Sequence, residues 1–470
     1  MQWTIKLECT PDGGPTRTYE IGRLTRPIGN LKPEEIGLTL AEGRDVLRDI
    51  QRQVIGNQVH FYTLCFSHCV HCGKRQPFKD VRTKCLLTVF GAFRLRGRRI
   101  RMCRCQTERG CDASFFPLGH IISRRTTPEI RLLIATLGAR MPYREASRVI
   151  QLFGFPATRA GRMAIWRHTI KAGHRIDGDQ VAEAQAGADC GVATERLSIG
   201  IDDTYIRNRT GTASRKLRVT AGRIERDGTL GERFAFVASA PDWSADQFQG
   251  IINHQGAEGC SVVQVVTDGD DGLRNFVQGA IRTRIVPQLD WFHLGMKPEH
   301  LHKCVRLPVT YEEYWKDPRA FEPIQRRVER ARYALWHGRV YSALDHLAAL
   351  RDDLTLWSAA HPDSAVDALD RVLRTIDEFE GYVGGNRRNM PNFARARAAG
   401  HRISTAHVES VMNRLVNHRM SKKQQMCWST AGAHYLLQVR VELLNGTLVD
   451  RFRRWHERFG GPSRYAPCTA

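Results

Sequence analysis

From Leu197 the apolar residues of this chain alternate. Leu197, Ile199 and Ile201 take one side of a predicted strand, and Ser198, Gly200 and Asp202 take the other. Lys216 to Glu225 and Arg233 to Ala238 repeat the period around the turn residues Asp227 and Gly228, which predicts an antiparallel three-strand meander. A helix from about Asp246 to His254 then leads to Val262-Val-Gln-Val-Val-Thr-Asp268, a β-branched run that reads as a buried central strand. A second helix, Asp271 to Ala280, leads to the strand Ile285 to Asp290.

On either side of this block the period is helical. Thr127 is the expected N-cap of a helix whose first position is Pro128. Tyr143 to Phe153 gives a short helix stopped by Gly154, and a basic second helix follows Phe155-Pro156-Ala157. That pair predicts a helix-turn-helix, with Thr158, Arg159 and Arg162 near the base-reading end and Arg167 and Lys171 nearer phosphates. The Ala- and Gly-rich acidic stretch 177–191 reads as a linker. Beyond the strands, Glu322 to Trp336, Tyr341 to Trp357 and Asp363 to Tyr382 carry apolar residues at helical spacing. In Thr405 to Asn417, Glu409, Asn413 and Asn417 form a polar stripe opposite Val408, Val411, Met412 and Leu415.

Three hairpin strands followed by two αβ crossovers is the order of a ribonuclease-H-like sheet. In that order the first and fourth strands are neighbours, so Asp202 and Asp268 meet although 268 − 202 = 66 positions separate them. The expected fold class is multidomain α/β: a ribonuclease-H-like catalytic domain with an all-α insertion, preceded by a small zinc-binding β module and a helix-turn-helix. The corresponding division is an N-terminal region 1–60, a zinc module 61–120, the helix-turn-helix 121–176 and a linker 177–196. The core follows over 197–300, the insertion over 301–400, final core helices over 401–450 and a basic tail over 451–470.

At 470 residues the chain exceeds what one core usually supports. Its formal charge of +22 implies a polyanionic partner, and nucleic acid is the natural one. No apolar run approaches the length of a spanning helix and Met1 to Glu8 lacks the build of a signal peptide, so a membrane partner is not expected and the expected compartment is the cytoplasm or nucleoid. Eight of the 13 cysteines fall at or before Cys111. In a reducing compartment such clustering points to metal. Cys69-Val-His-Cys72-Gly73 has the spacing of a zinc knuckle, and its return pair is sought among Cys103, Cys105 and Cys111. Cys105 with Cys111 is favoured as nearer the closing loop, with Cys103 left open as the alternative. Between the two halves, Phe93 to Met102 carries Arg94 and Arg96 among positive charges on both sides of a strand. That stretch either follows a phosphate backbone or is a charged, solvated edge.

Acidic residues at two strand ends suit chemistry on phosphodiesters. Hard divalent ions take oxygen ligands, and two Mg²⁺ (or Mn²⁺) ions about 4 Å apart activate a hydroxyl and stabilise a leaving oxygen. Asp202 is the bridging candidate. Asp203 leaves the opposite strand face and reads as a polar turn residue, and Asp270 or Asp271 as an N-cap. Glu409 is the third carboxylate of interest, though its local pattern alone is that of a solvated helix face.

The order of zinc knuckle, helix-turn-helix, Asp202, Asp268, Asp290-Trp-Phe-His293, helical stretch and Glu409 resembles bacterial insertion-sequence DDE transposases, in particular those akin to Mutator-like elements. The resemblance runs from about Cys69 to about Leu444, and its most specific piece is Asp290-Trp-Phe-His293, which looks like the family's C/DxxH signature. It implies that Asp202, Asp268 and Glu409 form a catalytic triad with His293 close by. It further implies double-stranded DNA, as transposon ends and target, for a partner, and a homodimer or higher oligomer on that DNA. Met426 to Arg440 resembles the family's closing helices, where Trp428 is expected to pack in the core. Arg451 to Arg458 reads as a basic amphipathic tail. A DNA-binding regulator derived from such an element, and a metal-dependent nuclease without strand transfer, are the alternative functions.

Overall fold

The computed structural model describes residues 1–153, 161–186, 196–209, 215–226, 229–240, 245–257, 260, 262–305, 322–360, 366–421 and 426–460. It is a mixed α/β protein of two compact units, Met1–Ala172 with Thr447–Ala470, and Gly173–Gly446. No described helix is long and apolar enough to cross a membrane.

The first unit opens with an antiparallel hairpin, β1 (Gln2–Cys9) and β2 (Arg17–Thr25). Helix α1 (Leu40–Leu64) starts at a reciprocal cap in which Thr39 and Glu42 each satisfy the other's backbone N–H. A second sheet follows, of β3 (Phe78–Thr88), β4 (Gly91–Arg101) and, after the short helix α2 (Arg104–Thr107), β5 (Ser114–Phe115). Along β4 the alternation is strict: Phe93, Leu95 and Gly97 are buried, and Arg94, Arg96 and Arg98 are exposed. Phe93 and Leu95 form a small core with Ile55 of α1, and with Leu118 and Ile122 at helix α3 (Pro117–Ile121). Further along β4, Arg99 pairs with Asp80 of β3.

Three helices complete this unit: α4 (Pro128–Arg140), α5 (Tyr143–Phe153) and α6 (Arg162–Gln185). Ile130, Ile134, Ala146, Ile150 and Ile165 bury their shared face. Thr127 is the N-cap of α4, but its side chain makes no capping bond. Residues 154–160, which include Thr158 and Arg159, lie outside the described residues. The stretch 177–191, expected as a linker, is helical in its first half, because α6 continues without a break to Gln185. Its alanines favour the helix, and Ile176, Asp177 and Gln180 are buried. Asp177 accepts bonds from Gln247 (3.1 Å) and meets Nε2 of His434 at 2.9 Å, which tethers that turn within the second unit.

The second unit is built on a five-stranded sheet. Its strands are β6 (Leu197–Arg207), β7 (Lys216–Arg226), β8 (Thr229–Val237), β9 (Val263–Thr267) and β10 (Ile285–Leu289), in the spatial order β10-β9-β6-β7-β8. The first three are an antiparallel meander, while β9 runs parallel to both β6 and β10. Helices α7 (Ala245–Asn253) and α8 (Asp271–Ala280) make the crossovers. Asp202 does not end its strand as expected, because β6 stays paired with β7 through Arg207; only the parallel pairing with β9 stops, at Gly200. The Asp227-Gly228 turn lies outside the described residues.

The sheet has one apolar face and one mixed face. Leu197, Ile199, Ile201, Val263 and Val265 pack against Phe248 and Ile252 of α7 and Leu273 and Val277 of α8. The other face is met by the segment around His407 and Val408, where a Cβ placed on Gly200 would stand 2.6 Å from Val408 Cγ2. Only a residue without a side chain admits that approach. Between β10 and this return segment lies a helical body: α9 (Trp291–Val305) and the helices Glu322–Trp336, Val340–Ala360 and Val366–Asn386. They share the core of Leu294, Leu301, Val328, Leu335, Leu347, Val372, Ile376 and Phe379.

Candidate active site and metal centre

Strand register places the acidic residues. β6 and β9 pair from Leu197 with Val263 to Gly200 with Val266, a constant offset of 263 − 197 = 66, and 202 + 66 = 268. β9 and β10 pair at an offset of 285 − 263 = 22, and 268 + 22 = 290. Asp202, Asp268 and Asp290 therefore fall in one line just past the paired residues of three parallel strands, close enough that the charge of Asp268 acts on Asp202 and both act on His293, the partner of Asp290. All three share the parity of Gly200, so they rise from the face that the return segment covers.

The row is electrostatically uneven. Burial pushes the Asp202 carboxyl up to about 6, and the negative charge of Asp268 adds to that, although Asp203 N–H donates to Asp202 at 2.7 Å. Asp268 accepts from Asp270 N–H at 3.0 Å, and its carbonyl accepts from the Tyr382 hydroxyl at 2.7 Å. Asp290 is fully buried. Burial alone would raise its carboxyl, but bonds from His293, Thr405 and Phe292 outweigh that and hold it below the usual range. The bonds are His293 Nδ1 at 2.7 Å, Thr405 N–H at 3.0 Å, Phe292 N–H at 2.8 Å and the Thr405 hydroxyl. In return, the hydrogen bond to Asp290 raises the His293 pKa, and Asp202 and Asp268 raise it further. The cationic form of His293 is thus favoured by three carboxylates, and Asp290 fixes its ring through Nδ1.

A polar clasp seats the return segment. Gln264 Nε2 donates to Gln288 Oε1 (2.7 Å) and to the carbonyl of Arg402 (3.0 Å), and Gln288 Nε2 donates to that same carbonyl (2.9 Å). One residue on, Trp291 N–H donates to Ile403 O at 2.8 Å. The helix Ala406–Met412 begins at Thr405 and widens into a π-helix over Asn413–Ser421. Glu409 rides on it but is exposed, and among the described residues its side chain bonds neither Asp202 nor Asp268. Among the described residues, Asp202, Asp268 and Glu409 do not form a donor group within 4.8 Å of one another.

No family profile and no characterised protein matches the sequence.

The remaining acidic positions have structural explanations. Asp203 sits mid-strand, not in a turn; it accepts from the Thr220 hydroxyl and lies 3.6 Å from Arg218. Asp270 caps α8 by accepting from Leu273 N–H at 2.8 Å. Trp428 is buried, and its Nε1 donates to Met420 O at 3.1 Å. Sequence reasoning missed Asp290 as an anchor, and missed Thr405 and Tyr382 altogether. A repeated Asp at strand ends was the available signal for the first; nothing local marked the other two.

Do the residues fit divalent metal? Two neighbouring carboxylates, one of them raised by its burial and by the charge of the other, are a hard-oxygen donor pair of the sort Mg²⁺ takes. Asp202 and Asp268 fit that role; Asp290 does not, since its oxygens are occupied.

The first unit holds a separate donor set of four sulfurs, Cys69, Cys72, Cys103 and Cys105, all within 4.8 Å of one another. Sulfur separations run from 2.9 Å for Cys103 and Cys105 to 3.8 Å for Cys72 and Cys103. A zinc tetrahedron with 2.3 Å bonds has edges of roughly 3.8 Å, so a zinc ion fits with small adjustments. The return pair is corrected: it is Cys103 with Cys105, and Cys111 is exposed outside the cluster. The reason is local. The chain leaves β4 at Arg101 and Cys103 caps helix α2, which curls Cys103 and Cys105 around one centre, whereas Gly110 (φ +84°) turns Cys111 away. The knuckle itself closes at Gly73 (φ +68°), whose N–H donates to Cys69 O at 2.9 Å. Burial would raise the Cys69 thiol, but bonds from Cys103, the Cys72 and His71 amides and Cys105 bring it down to about 6. A thiolate is thereby ready at neutral pH, which is the form a metal needs. Of the basic residues expected to meet DNA, Arg94, Arg96, Arg162, Arg167 and Lys171 are all exposed.

Proposed function

We propose that this protein is a DDE transposase whose second unit is a ribonuclease-H-like catalytic domain, and that it cuts and joins DNA with Mg²⁺ or Mn²⁺. The supporting observation is the register: two carboxylates brought together where the parallel pairing of β6, β9 and β10 stops, beside a histidine whose protonated form a third, buried aspartate favours. In this reading Asp202 and Asp268 are the metal ligands, and Glu409, exposed on the helix Ala406–Met412, is the third. When bound, the metal lowers the pKa of a water or 3′-hydroxyl and offsets charge on the leaving oxygen. His293, positioned by Asp290, donates to a non-bridging oxygen of the phosphate under attack. The four-cysteine zinc module and the three-helix region supply end recognition, with Arg94, Arg96, Arg162, Arg167 and Lys171 on phosphates and Thr158 and Arg159 nearer the bases. A homodimer or larger assembly would pair two ends.

The test supplies purified protein with Mg²⁺ and duplexes carrying the inverted repeats that flank the gene. Joined products support transposition, nicking without end preference supports a plain nuclease, and binding without cleavage supports a regulator. Asp202→Asn and Asp268→Asn should each abolish cutting while leaving DNA binding intact. Undiminished cutting by either variant refutes the assignment.

A further inference from the structure

The helical body supplies a cation to the rim of the carboxylate row. Lys297 follows His293 by four residues on α9, so both side chains leave the same helix face, one turn or roughly 6 Å apart. The Lys297 ammonium lies over the Tyr382 ring, 4.9 Å from its centroid. That ring is fixed from the other end, because the Tyr382 hydroxyl donates to the carbonyl of Asp268. The loop beyond Asp268 is locked against the same helix: Gly269 (φ +98°) passes Asn386 so closely that a Cβ would stand 2.9 Å from its Oδ1. Several arginines of the helical body are paired with carboxylates, Arg327 with Asp353, Arg351 with Asp377 and Glu380, and Arg332 with Glu299. Lys297, only half-buried, pairs with no carboxylate among the described residues.

An ammonium held on an aromatic face, unneutralised, beside a site that takes phosphodiesters has one natural counter-ion. We propose that Lys297 binds the DNA phosphate next to the one His293 faces, so that one face of α9 grips two consecutive phosphates of the strand. This rests on the transposase reading, and it adds a substrate contact that neither the register row nor the metal ligands require. Tyr382 is a positioning residue in this scheme. Its ring restricts the lysine stem, and its hydroxyl ties that platform to the backbone of Asp268.

The experiment compares full-length wild type, Lys297→Met and Lys297→Arg on a cognate end duplex. Binding is followed by fluorescence anisotropy across a salt series, with Ca²⁺ in place of Mg²⁺. A second duplex set carries one uncharged methylphosphonate at each position around the cut. Lys297→Met should bind about tenfold more weakly with a salt slope smaller by about 1, and Lys297→Arg should recover most of both. One methylphosphonate position, adjacent to the cut, should weaken wild type and leave Lys297→Met unaffected. An unchanged salt slope, or methylphosphonates that weaken both proteins equally at every position, overturns the assignment. Should wild type cut DNA with Mg²⁺ while Lys297→Met behaves identically, the lysine contact alone falls. Should wild type neither bind nor cut DNA, the transposase reading falls and takes this one with it.

Discussion

Asp202→Asn should stabilise the protein at neutral pH, and the structure fixes both the sign and the pH window. The Asp202 carboxyl lies at about 6 against an ordinary 3.8, because burial disfavours its ionised form and Asp268 repels it. Below pH 4 the carboxyl is protonated in folded and unfolded chains alike, and nothing separates them. As pH rises from 4 to 6 the unfolded chain ionises more readily, so the stability contributed by this group is lost through that window. Above pH 6 the full penalty applies: about 2 pH units at 1.36 kcal/mol each, or about 3 kcal/mol at most. Asparagine cannot ionise, and its Oδ1 still accepts the Asp203 amide. Relative to wild type it should gain nothing near pH 4 and roughly 5–10 °C in the melting temperature of this unit at pH 8. Thermal melts of both proteins from pH 4 to 8 measure this, with and without millimolar Mg²⁺. The ion should stabilise wild type by offsetting the charge and should not stabilise the variant. A pH-independent difference between the two, or equal stabilisation by Mg²⁺, would show that Asp202 is not the charge-starved group described here.

Other substitutions test other parts of the architecture. Cys103→Ser should lose the zinc ion and Cys111→Ser should keep it, as counted by a colorimetric assay on denatured protein; the opposite result would restore Cys111 as the ligand. Gly200→Ala drives a methyl group into Val408 and His407, which should cost about 1–3 kcal/mol and reduce cutting by displacing the helix that carries Glu409. A stable, fully active Gly200→Ala would mean that the close approach is dispensable. Asp290→Ala strands His293 and both donors of Thr405, with an expected loss of about 3–5 kcal/mol in denaturant melts; a loss below 1 kcal/mol would contradict its role as an anchor. Replacing Arg94 and Arg96 together should lower the salt slope of DNA binding by about 2 with little change in cutting at saturating DNA. An unaltered slope would make that β4 face an ordinary solvated surface.

Regular periods were legible because each reflects one buried face. The meander, both crossovers and the helical body follow from alternation and 3.6-residue spacing, and the constant register brings Asp202 and Asp268 together although they lie 268 − 202 = 66 positions apart. The cysteine assignment failed where the period ended. Two residues apart means one thing on a strand and another on a helical turn, and Cys103 and Cys105 straddle the start of α2. How far helix runs into the stretch 177–191 was not legible, because Asp177 is held by His434, 257 positions away in the chain. Thr405 and Tyr382 were invisible for the same reason. Their roles exist only as bonds to Asp290 and Asp268, 115 and 114 positions distant.

Asp290 satisfies its buried charge with Thr405, a residue that emerges during synthesis 115 positions after it. A nascent chain that has just extruded β10 therefore carries an aspartate half of whose partners have yet to be synthesised. The polar face of the sheet is completed late and all at once, when the return segment docks. A product truncated between β10 and position 405 would keep Asp202, Asp268 and Asp290 but have no Thr405 to satisfy the last of them.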